Sequence, residues 1–510
     1  MAAELDPDGA EGLDRRELLR WAGAGAAAVA VSGELALARE ISGPQASVHV
    51  GKRAIKDLER RVSGRVFVRG GGKAYHRARK VYNKRFNRKH PAAVIRVRDA
   101  GDVQAVMRWA NKYDVNVRAR SGGHSYAGYS TTDTGVVIDL SKLRSVNAQN
   151  GKKQATVGGG VGLIRMYSKL AKRGVTVPGG SCPTVGISGL ALGGGMGFAS
   201  RKHGLTCDNI ESVQIVTPDG KLRTASAKEN QGLLWACQGG GGGNFGIVTE
   251  FTFRTYRVDR AAYYFASWPW EHASHALEAW QKLTGEAPDD LCPFFSLSAE
   301  SGGPVVGSVG QYFGSESGMK AAIKPLTDID GIELTTGTKA YAALMKQWAG
   351  CSKESLSDCE KPNRVSFYGA SDYVQKAMGS GGRHAMIKAV EARQNEGATG
   401  AILLDGYGGK INEVGAEETA FVHRNQLYCI QYYAQPDPGS SKKQTEAWIQ
   451  SARKDLRPHV SGQAYQNYID PKLKNWTKAY YGRNYDRLVQ IKTRYDPDNR
   501  LGFKQGINPS

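Results

Sequence analysis

Cysteine and long apolar segments are scarce in this chain. Only seven of the 510 residues are cysteine, and none lies with histidine at the spacing of a metal site, so we predict no metal. The apolar run at residues 21–31 is too short and too weakly hydrophobic to span a bilayer, so we predict no membrane span. The composition, 40% hydrophobic with charges of both signs, is typical of a globular chain, and the length implies two or more domains.

Signatures of nucleic-acid binding and of nicotinamide dinucleotide binding are also missing. The formal net charge of +21 would suit a nucleic-acid partner, yet the chain has no zinc-finger spacing, recognition-helix signature or basic strands interleaved with aromatics. We interpret the basic residues as scattered over a solvated surface that favours anionic cell-wall material or an anionic substrate, and we predict no nucleic-acid partner. The glycine runs do not open helices at the dinucleotide-binding spacing followed by an acid, which argues against an NAD-type enzyme.

Glycine, by contrast, is abundant and clustered. Many of the 64 glycines lie at residues 158–160, 193–197 and 239–243. The excess is therefore concentrated in loops, where glycine allows positive φ and close backbone approach to a ligand.

Two glycine-rich segments each contain one reactive side chain. Residues 120–126, Arg-Ser-Gly-Gly-His-Ser-Tyr, contain His124, and residues 179–189, Gly-Gly-Ser-Cys-Pro-Thr-Val-Gly-Ile-Ser-Gly, contain Cys182. A strand predicted at residues 115–120 leads into the first segment, so its Ser-Gly-Gly amides would form an anion-binding concavity beside the imidazole. Either segment alone could be a structural turn, but together they indicate a site for a phosphate-bearing cofactor.

Taken together, the segments resemble the two flavin attachment points of the berberine bridge enzyme-like group within the vanillyl-alcohol oxidase superfamily. In that family the histidine bonds the 8-methyl carbon of the FAD ring system and the cysteine bonds ring carbon 6. Residues 245–249, Phe-Gly-Ile-Val-Thr, and the aromatic- and asparagine-rich residues 465–499 are similar to other family motifs. The resemblance implies FAD bound covalently through His124 and Cys182. It also places the following residues at the cofactor: Arg120, Ser121, Gly122, Gly123, Ser125, Gly180, Val185, Gly186, Gly189, Gly194, Gly195, Gly197, Asp208, Asn209, Gly246, Val248, Tyr465 and Asn467.

The same resemblance implies an α+β fold with a two-part FAD-binding domain of the vanillyl-alcohol oxidase (p-cresol methylhydroxylase) type and an α+β substrate domain built on an antiparallel sheet. We predict the FAD-binding domain at residues 39–256, the substrate-binding domain at residues 257–445, and a C-terminal segment, residues 446–510, that returns to the FAD-binding domain. Residues 39–92 are polar and basic, and we interpret them as an initial helix and arm.

The N-terminal residues predict export. Within residues 1–38, Arg15 and Arg16 precede the apolar run, and the pair resembles a twin-arginine signal for secretion; an amphipathic helix with a chance arginine pair is the alternative. In an exported protein, Cys351 and Cys359, which share a polar loop, are expected to form a disulfide. The cysteines expected to be buried and unpaired are Cys207, Cys237, Cys292 and Cys429.

The family pattern assigns proton transfer to Tyr468. A phenol has a pKa of about 10, so a cation or hydrogen-bond donors would have to stabilise its phenolate; a buried structural tyrosine is the alternative. Asp405 matches an acidic position that polarises this tyrosine in the family's carbohydrate oxidases, although it could also be a turn-capping aspartate. If the C-terminal motif is a strand, Tyr465 and Asn467 face away from Tyr468 and contact the flavin instead.

Three residues occupy positions on the substrate side of the family's site. Tyr126 and Gln431 match the residues found at pocket-facing positions. Met196 instead replaces the aromatic residue that is frequent at its position, and this puts a sugar-stacking platform in doubt. Val185 matches the family's gate above the flavin, where valine is associated with oxidases.

These residues predict a secreted FAD-dependent oxidase. It would transfer hydride from an alcohol carbon, the anomeric carbon of a mono- or oligosaccharide, to FAD and then to O2, giving hydrogen peroxide. Met196 leaves open the oxidation of a secondary metabolite, such as a glycosylated antibiotic or an alkaloid. A basic extracellular binding protein with an inert flavin is the alternative from another class. The predicted partners are a small-molecule substrate and O2, with no obligate protein partner.

Overall fold

The computed structural model describes residues 50–148, 153–437 and 440–510, and it confirms the α+β class. The predicted export signal at residues 1–38 lies outside the described residues. Within the described ranges, every helix is too short or too polar to cross a bilayer.

The first unit is a four-stranded mixed sheet. Its elements are β1 (Arg65–Val68), β2 (Ala93–Arg96), β3 (Asn116–Arg120), β4 (Gly135–Asp139), α1 (Lys52–Arg61), α2 (Gly72–Ala78) and α3 (Ala100–Lys112). The spatial order is β1-β2-β4-β3, with β1 antiparallel to β2 and both β2 and β3 parallel to β4. The sequence predicts a helix that Asp99 caps, because Val103, Val106, Met107 and Ala110 follow it at helical spacing. In the structure Asp99 caps α3 by accepting a hydrogen bond from the Asp102 amide. The interpretation of residues 39–92 as a helix and arm missed β1 and α2.

The second unit is a five-stranded antiparallel sheet of order β5-β6-β10-β8-β9. The strands are β5 (Val146–Ala148), β6 (Gln154–Gly158), β8 (Ile210–Val216), β9 (Leu222–Ser226) and β10 (Ile247–Arg254), and a separate ribbon pairs β7 (Val175–Thr176) with β11 (Tyr256–Arg257). Four helices accompany them: α4 (Leu163–Ala171), α5 (Ile187–Leu192), α6 (Ser200–His203) and α7 (Gln231–Cys237). The Asp219-Gly220 pair between two strand-like runs, residues 212–216 and 221–224, predicts a hairpin. Strands β8 and β9 form this hairpin, and Gly220 in its turn has a φ of 76°.

The third unit is a seven-stranded antiparallel sheet of order β15-β12-β14-β13-β17-β18-β16. Its strands are β12 (Arg260–Trp268), β13 (Leu291–Glu300), β14 (Gly303–Tyr312), β15 (Glu333–Ala340), β16 (Tyr368–Val374), β17 (Gly400–Gly406) and β18 (Tyr428–Ala434). The helices of this unit are α8 (Ala273–Glu286), α9 (Glu316–Ala322), α10 (Lys324–Thr327), α11 (Tyr341–Trp348), α12 (Leu356–Cys359), α13 (Ser380–Asn395) and α14 (Lys410–Glu413).

The two faces of this third sheet have different roles. On β17 and β18, Ile402 and Ile430 pack into a core with the helices on one side of the sheet. Because side chains alternate along a strand, their neighbours Leu403 and Gln431 face the other way. That other face borders the cavity described below, since Leu403 and Asp405 are part of the cavity wall.

The chain ends with α15 (Lys442–Leu456), α16 (Trp476–Tyr481) and α17 (Tyr485–Tyr495). Helix α17 and the residues after it are tied to the first two units. Lys492 Nζ of α17 donates to the carbonyl of Asn244 at 2.8 Å, and the Val117 amide of β3 donates to the carbonyl of Arg500 at 3.1 Å. Helix α15 spans the boundary predicted at residue 446 and packs in the core of the seven-stranded sheet. We therefore propose that the third unit extends to Leu456.

The predicted disulfide is confirmed. Cys351 and Cys359 are bonded beside α12, and their Cα atoms are 5.7 Å apart. The four cysteines predicted to be buried and unpaired are so: Cys207, Cys237, Cys292 and Cys429.

Candidate active site

A single cavity brings most of the predicted site residues together. It lies between the two glycine-rich segments on one side and the seven-stranded sheet with the C-terminal turn on the other. The predicted residues in its wall are Ser121, Gly122, Gly123, His124, Ser125, Tyr126, Gly180, Cys182, Val185, Gly186, Gly189, Met196, Gly197, Gly246, Val248, Asp405, Tyr465, Asn467 and Tyr468.

The two glycine-rich segments contact each other directly. A Cβ atom on Gly122 would collide with the amide nitrogen of Gly186, and one on Gly186 would collide with that of Gly122. Only glycine allows this approach of two backbones. A hydrogen bond of 2.9 Å between His124 Nε2 and Thr184 Oγ1 joins the segments again, two residues after Cys182.

Burial keeps both reactive side chains of these segments neutral. It lowers the pKa of His124 to about 3 and raises the pKa of the Cys182 thiol to about 11. The side of the cavity that they form is therefore an uncharged imidazole and an uncharged thiol set among backbone amides.

Tyr82 is a wall residue that the sequence analysis missed. Its ring stacks on that of His124, with centroids 3.8 Å apart and planes inclined by 20°. Its buried hydroxyl has no hydrogen-bond partner among the described residues, and burial raises its pKa well above the usual value. Tyr82 lies in the stretch interpreted as a polar arm, where no motif marks it.

The opposite side of the cavity contains a phenol and a carboxylate in contact. Tyr468 Oη donates to Asp405 Oδ2 at 3.0 Å. Burial raises the pKa of Asp405 to about 7, against a partial lowering by this hydrogen bond. Burial, followed by the negative charge of Asp405, raises the pKa of Tyr468 well above its usual value. The pair therefore carries its proton on Tyr468 and its charge, when present, on Asp405.

Tyr126 and Gln431 extend this side. The Tyr126 ring stacks on that of Tyr468 at a centroid distance of 5.5 Å, and Gln431 Nε2 donates to Tyr126 Oη. The buried Oε1 of Gln431 accepts no hydrogen bond from the described part of the chain. Gln431 is thus behind the cavity wall and acts on the cavity through Tyr126.

The C-terminal motif does not meet the condition under which Tyr465 and Asn467 would face away from Tyr468, because it is not a strand at these residues. Residues Gln466–Tyr468 form one 3₁₀ turn, and a turn does not send alternate side chains to opposite sides. Tyr465, Asn467 and Tyr468 consequently all line the same cavity. Tyr465 Oη accepts hydrogen bonds from the Gly195 amide at 2.7 Å and from Asn467 Nδ2 at 2.9 Å. These bonds fix the turn against the glycine cluster at residues 193–197.

Arg120, Asp208 and Asn209 lie outside the cavity wall, contrary to their predicted place at the cofactor. The Arg120 guanidinium forms a buried ion pair with Asp139 at 2.9 Å, which orients it away. Asp208 pairs with Arg424 at 2.6 Å. Asn209 donates to the carbonyls of His203 and Leu205, at 2.9 and 2.8 Å. All three side chains have structural contacts instead.

Gly194 and Gly195 are also absent from the cavity wall. Their φ angles are 132° and 96°, which favour glycine. A Cβ on Gly194 would lie 3.0 Å from the Tyr465 ring, and one on Gly195 would collide with Thr206. These two glycines therefore form the close support beneath Tyr465.

Several wall residues come from parts of the chain without a motif. On the seven-stranded sheet, Phe294 and Ser296 are wall residues of β13. The run at residues 294–297 predicts a strand, but its apolar residues fall on both faces and so do not indicate which face lines a cavity. The other wall residues missed include Arg118, Tyr129, Phe367, Tyr433, Phe503 and Gln505.

The cavity fits FAD. Gly189 is part of its wall, and a Cβ added there would meet no atom within 4 Å, so a side chain at this position would project into the space that a ligand needs. Arg118, in the same wall, has no carboxylate partner among the described residues, and burial lowers its pKa to about 10. An unpaired cation beside a glycine-lined wall suits the pyrophosphate of a dinucleotide cofactor.

Comparison with known proteins agrees with this geometry. A model of an FAD-binding domain matches residues 91–226, and a model described as berberine and berberine-like matches residues 464–508. The chain is 31% identical over 457 residues to an uncharacterised FAD-linked oxidoreductase, YvdP, of Bacillus subtilis, covering 88% of this chain and 99% of that protein. It is 30% identical over 440 residues to a carbohydrate oxidase of Microdochium nivale, covering 82% and 88%.

A solved structure is similar over nearly the whole described chain. The berberine bridge enzyme-like protein 1 of Physcomitrella patens superposes with a TM-score of 0.83 at 31% identity, covering 90% of this chain and 99% of that one. Fold, cavity and matches define an FAD-linked oxidoreductase. More closely, the chain belongs to the berberine bridge enzyme-like family, and carbohydrate oxidases are among its relatives.

Proposed function

We propose that this protein is an oxidase that removes a hydride and a proton from an alcohol group of its substrate. The observation that carries the proposal is the 3.0 Å contact between Tyr468 Oη and Asp405 Oδ2, in the cavity that also contains His124 and Cys182. This contact provides a proton acceptor in the same cavity as the two candidate anchors for a flavin.

The substrate hydroxyl gives its proton to Tyr468 Oη while the proton of Tyr468 passes to Asp405 Oδ2. From the sequence we expected a cation or hydrogen-bond donors that stabilise a phenolate at Tyr468. The charged neighbour is instead a carboxylate, which raises the pKa of the phenol. A relay in which Asp405 receives the proton avoids a phenolate altogether, and it requires Asp405 to be ionised beforehand.

FAD, when bound, supplies the acceptor for the hydride. We assign Arg118 to the cofactor phosphates and His124 and Cys182 to covalent attachment at two points. The attachment is supported by the direct packing of the two segments, which brings both side chains into one wall. In the variants His124→Ala and Cys182→Ala, each protein should keep flavin through acid precipitation, whereas the double variant should release it. Free flavin released from the unmodified protein would refute double attachment.

A saccharide oxidised at its anomeric hydroxyl to a lactone is the substrate that we favour. Gln431 Nε2 donates to Tyr126 Oη and so fixes this wall residue beside Tyr468, where the Tyr126 hydroxyl is placed to bind polar groups of a sugar. The relative from Microdochium nivale is named a carbohydrate oxidase.

A secondary metabolite with an apolar part is the second candidate substrate. Met196, Phe294, Phe367 and Leu403 are all in the cavity wall, and they would contact an aglycone rather than hydroxyl groups. This apolar stretch of wall is the observation that favours it.

We further propose that O2 accepts the electrons, giving hydrogen peroxide, and that the protein is exported through a twin-arginine signal. Val185 at the cavity wall supports oxygen use, because valine at this position is associated with oxidases in the family. The Cys351–Cys359 disulfide supports an oxidising compartment.

Anaerobic mixing of the flavin-loaded protein with a panel of sugars, glycosides and aglycones tests the function. Bleaching by a saccharide, followed by stoichiometric peroxide on admitting air, is the expected result. Flavin that no member of the panel reduces would favour a binding protein with an inert flavin. Reduction without peroxide formation would make the enzyme a dehydrogenase.

A further inference from the structure

Most of the net positive charge is concentrated in one short segment. Residues 50–98 contain 17 of the 69 Lys and Arg residues but only two of the 48 Asp and Glu residues, so 15 of the 21 net charges fall within 49 residues. The interpretation of the basic residues as scattered is therefore wrong, because the composition of the whole chain averaged out a local excess.

The fold wraps this segment around one edge of the four-stranded sheet. Val94 of β2 packs with α2 on one face, whereas its neighbours Ala93 and Ile95 pack with α1 on the other face. Strand β1 lies between the two helices in sequence and pairs with β2 alone among the described strands, so it forms the free edge. We call the surface of α1, β1 and α2 the basic edge. The exposed cations on or next to these elements are Lys52, Arg53, Lys56, Arg60, Arg61, Arg65, Arg69, Lys73, Arg77 and Lys80.

Few of these cations are neutralised by acids. Asp57 pairs with Arg60 and Arg61 on α1. Eight of the exposed cations form no ion pair with any residue that the structure describes: Lys52, Arg53, Lys56, Arg65, Arg69, Lys73, Arg77 and Lys80.

Helix stability accounts for Arg60 and Arg77, which lie in the last turns of α1 and α2, but not for the cations at the other ends of these helices. Lys52 and Arg53 occupy the first turn of α1 and Lys73 that of α2, and neither first turn contains an acid or a side-chain cap. The helix dipole favours acids at these positions and disfavours cations. Charges on β1 could protect the sheet edge from pairing with another chain, but that role does not extend to the two helices.

We propose that the basic edge binds a linear acidic polysaccharide through its sulfate, phosphate or carboxylate groups. This partner goes beyond the proposed function, since none of the exposed cations of the basic edge belongs to the cavity wall. Phe67 and Tyr75 are buried beneath the surface, so it lacks the exposed rings on which single-stranded nucleic acids stack. The two helices lie on opposite faces of the sheet, so neither carries the whole basic surface into a duplex groove.

The direct test is binding of a fluorescent sulfated dodecasaccharide to the flavin-loaded protein at low salt. Replacing six cations by Glu should weaken binding by at least about 30-fold, because each removed cation lowers the counterion release that drives binding. The six substitutions are Lys52→Glu, Arg53→Glu, Lys56→Glu, Lys73→Glu, Arg77→Glu and Lys80→Glu.

A matched control changes the net charge equally but elsewhere. Six exposed lysines without ion pairs in the described structure serve for it: Lys142→Glu, Lys153→Glu, Lys172→Glu, Lys228→Glu, Lys376→Glu and Lys474→Glu. Binding within about threefold of the unmodified protein is expected for the control. Equal loss in both variants would overturn the proposal, as would absence of binding by the unmodified protein or tighter binding of duplex DNA of equal charge.

A second measurement protects the test against misfolding. Three of the new acids, at positions 52, 53 and 73, lie in first turns and offset the loss of Arg77 from the last turn of α2, so the melting temperature of the basic-edge variant should stay close to that of the unmodified protein. Activity on a small substrate should also be unchanged. If the six-site variant fails to fold, the two three-site variants, one on each helix, should each weaken binding by at least about fivefold; unweakened binding in both would overturn the proposal.

Discussion

The two sides of the cavity are encoded in the chain in different ways. The side with His124 and Cys182 comes from two continuous segments whose glycines are needed for their mutual contact, so its residues follow one another in the sequence. The opposite side is assembled from Asp405 on β17, Gln431 on β18 and Tyr468 in a C-terminal turn. The first side positions a cofactor through backbone, whereas the second acts through single side chains brought together by the fold. Variants on the two sides should therefore fail in different ways.

The largest effect is expected from Tyr468→Phe. Loss of the hydroxyl removes the group that takes the substrate proton, so the rate of anaerobic flavin reduction should fall by about 10²-fold or more, with flavin content unchanged. Tyr129→Phe is a matched control, because Tyr129 lines the same cavity but donates its hydroxyl to Gln505, away from Asp405. An unaltered reduction rate in Tyr468→Phe would move the role of base to another group.

The next effect concerns the ionisation of Asp405. Because the relay needs the carboxylate and its pKa is raised to about 7, the reduction rate should rise with pH and level off above about pH 8. Asp405→Asn should be slower by about tenfold or more at pH 8 and should lose this dependence. A rate profile that stays the same in Asp405→Asn would exclude Asp405 from the relay.

Stability measurements give an independent check on the same group. The folded-state pKa of Asp405 lies above its unfolded value, so the folded protein holds this proton between about pH 4 and pH 7. The stabilisation from this proton is present at low pH and is lost as the pH rises through about 7. The melting temperature of Asp405→Asn minus that of the unmodified protein should therefore increase from pH 5 to pH 8.

On the cofactor side, Arg118 is expected to have a smaller effect. In a His124→Ala, Cys182→Ala background, where FAD binding is reversible, Arg118→Gln should raise the dissociation constant of FAD by about tenfold through loss of a charge-assisted contact to phosphate. Titration of the apoprotein with FAD measures it. Arg173→Gln, an exposed arginine outside the cavity, is the control. Equal affinities for FAD would show that Arg118 does not contact the phosphates.

The success of sequence-based prediction follows the same division. Local signals correctly gave the Asp99 cap, the β8–β9 hairpin and the cavity positions of His124 and Cys182. They failed where a long-range contact decides: the side chain of Arg120 looked available for the cofactor until the fold placed Asp139 beside it.

Local patterns also left the geometry of the C-terminal motif undecided. The residues at the motif were correctly identified as candidates, but alternation along a strand was the wrong rule for a 3₁₀ turn. Tyr82 and Phe367 could not be found at all, since ordinary aromatic residues become wall residues only through the elements that pack beside them.

The smallest effect, and the one that separates the two candidate substrates, is expected at Gln431. Replacement by Leu removes the hydrogen bond that fixes Tyr126 Oη, so KM for a saccharide that binds this hydroxyl should rise by about fivefold, while an apolar metabolite should be affected much less. Gln311→Leu is the control, because Gln311 is also buried but lies outside the cavity wall. Steady-state kinetics with a glycoside and its aglycone measure the difference. An equal rise in KM for both would mean that Tyr126 contributes its ring and not its hydroxyl to substrate binding, and this side of the cavity would then select its substrate by shape alone.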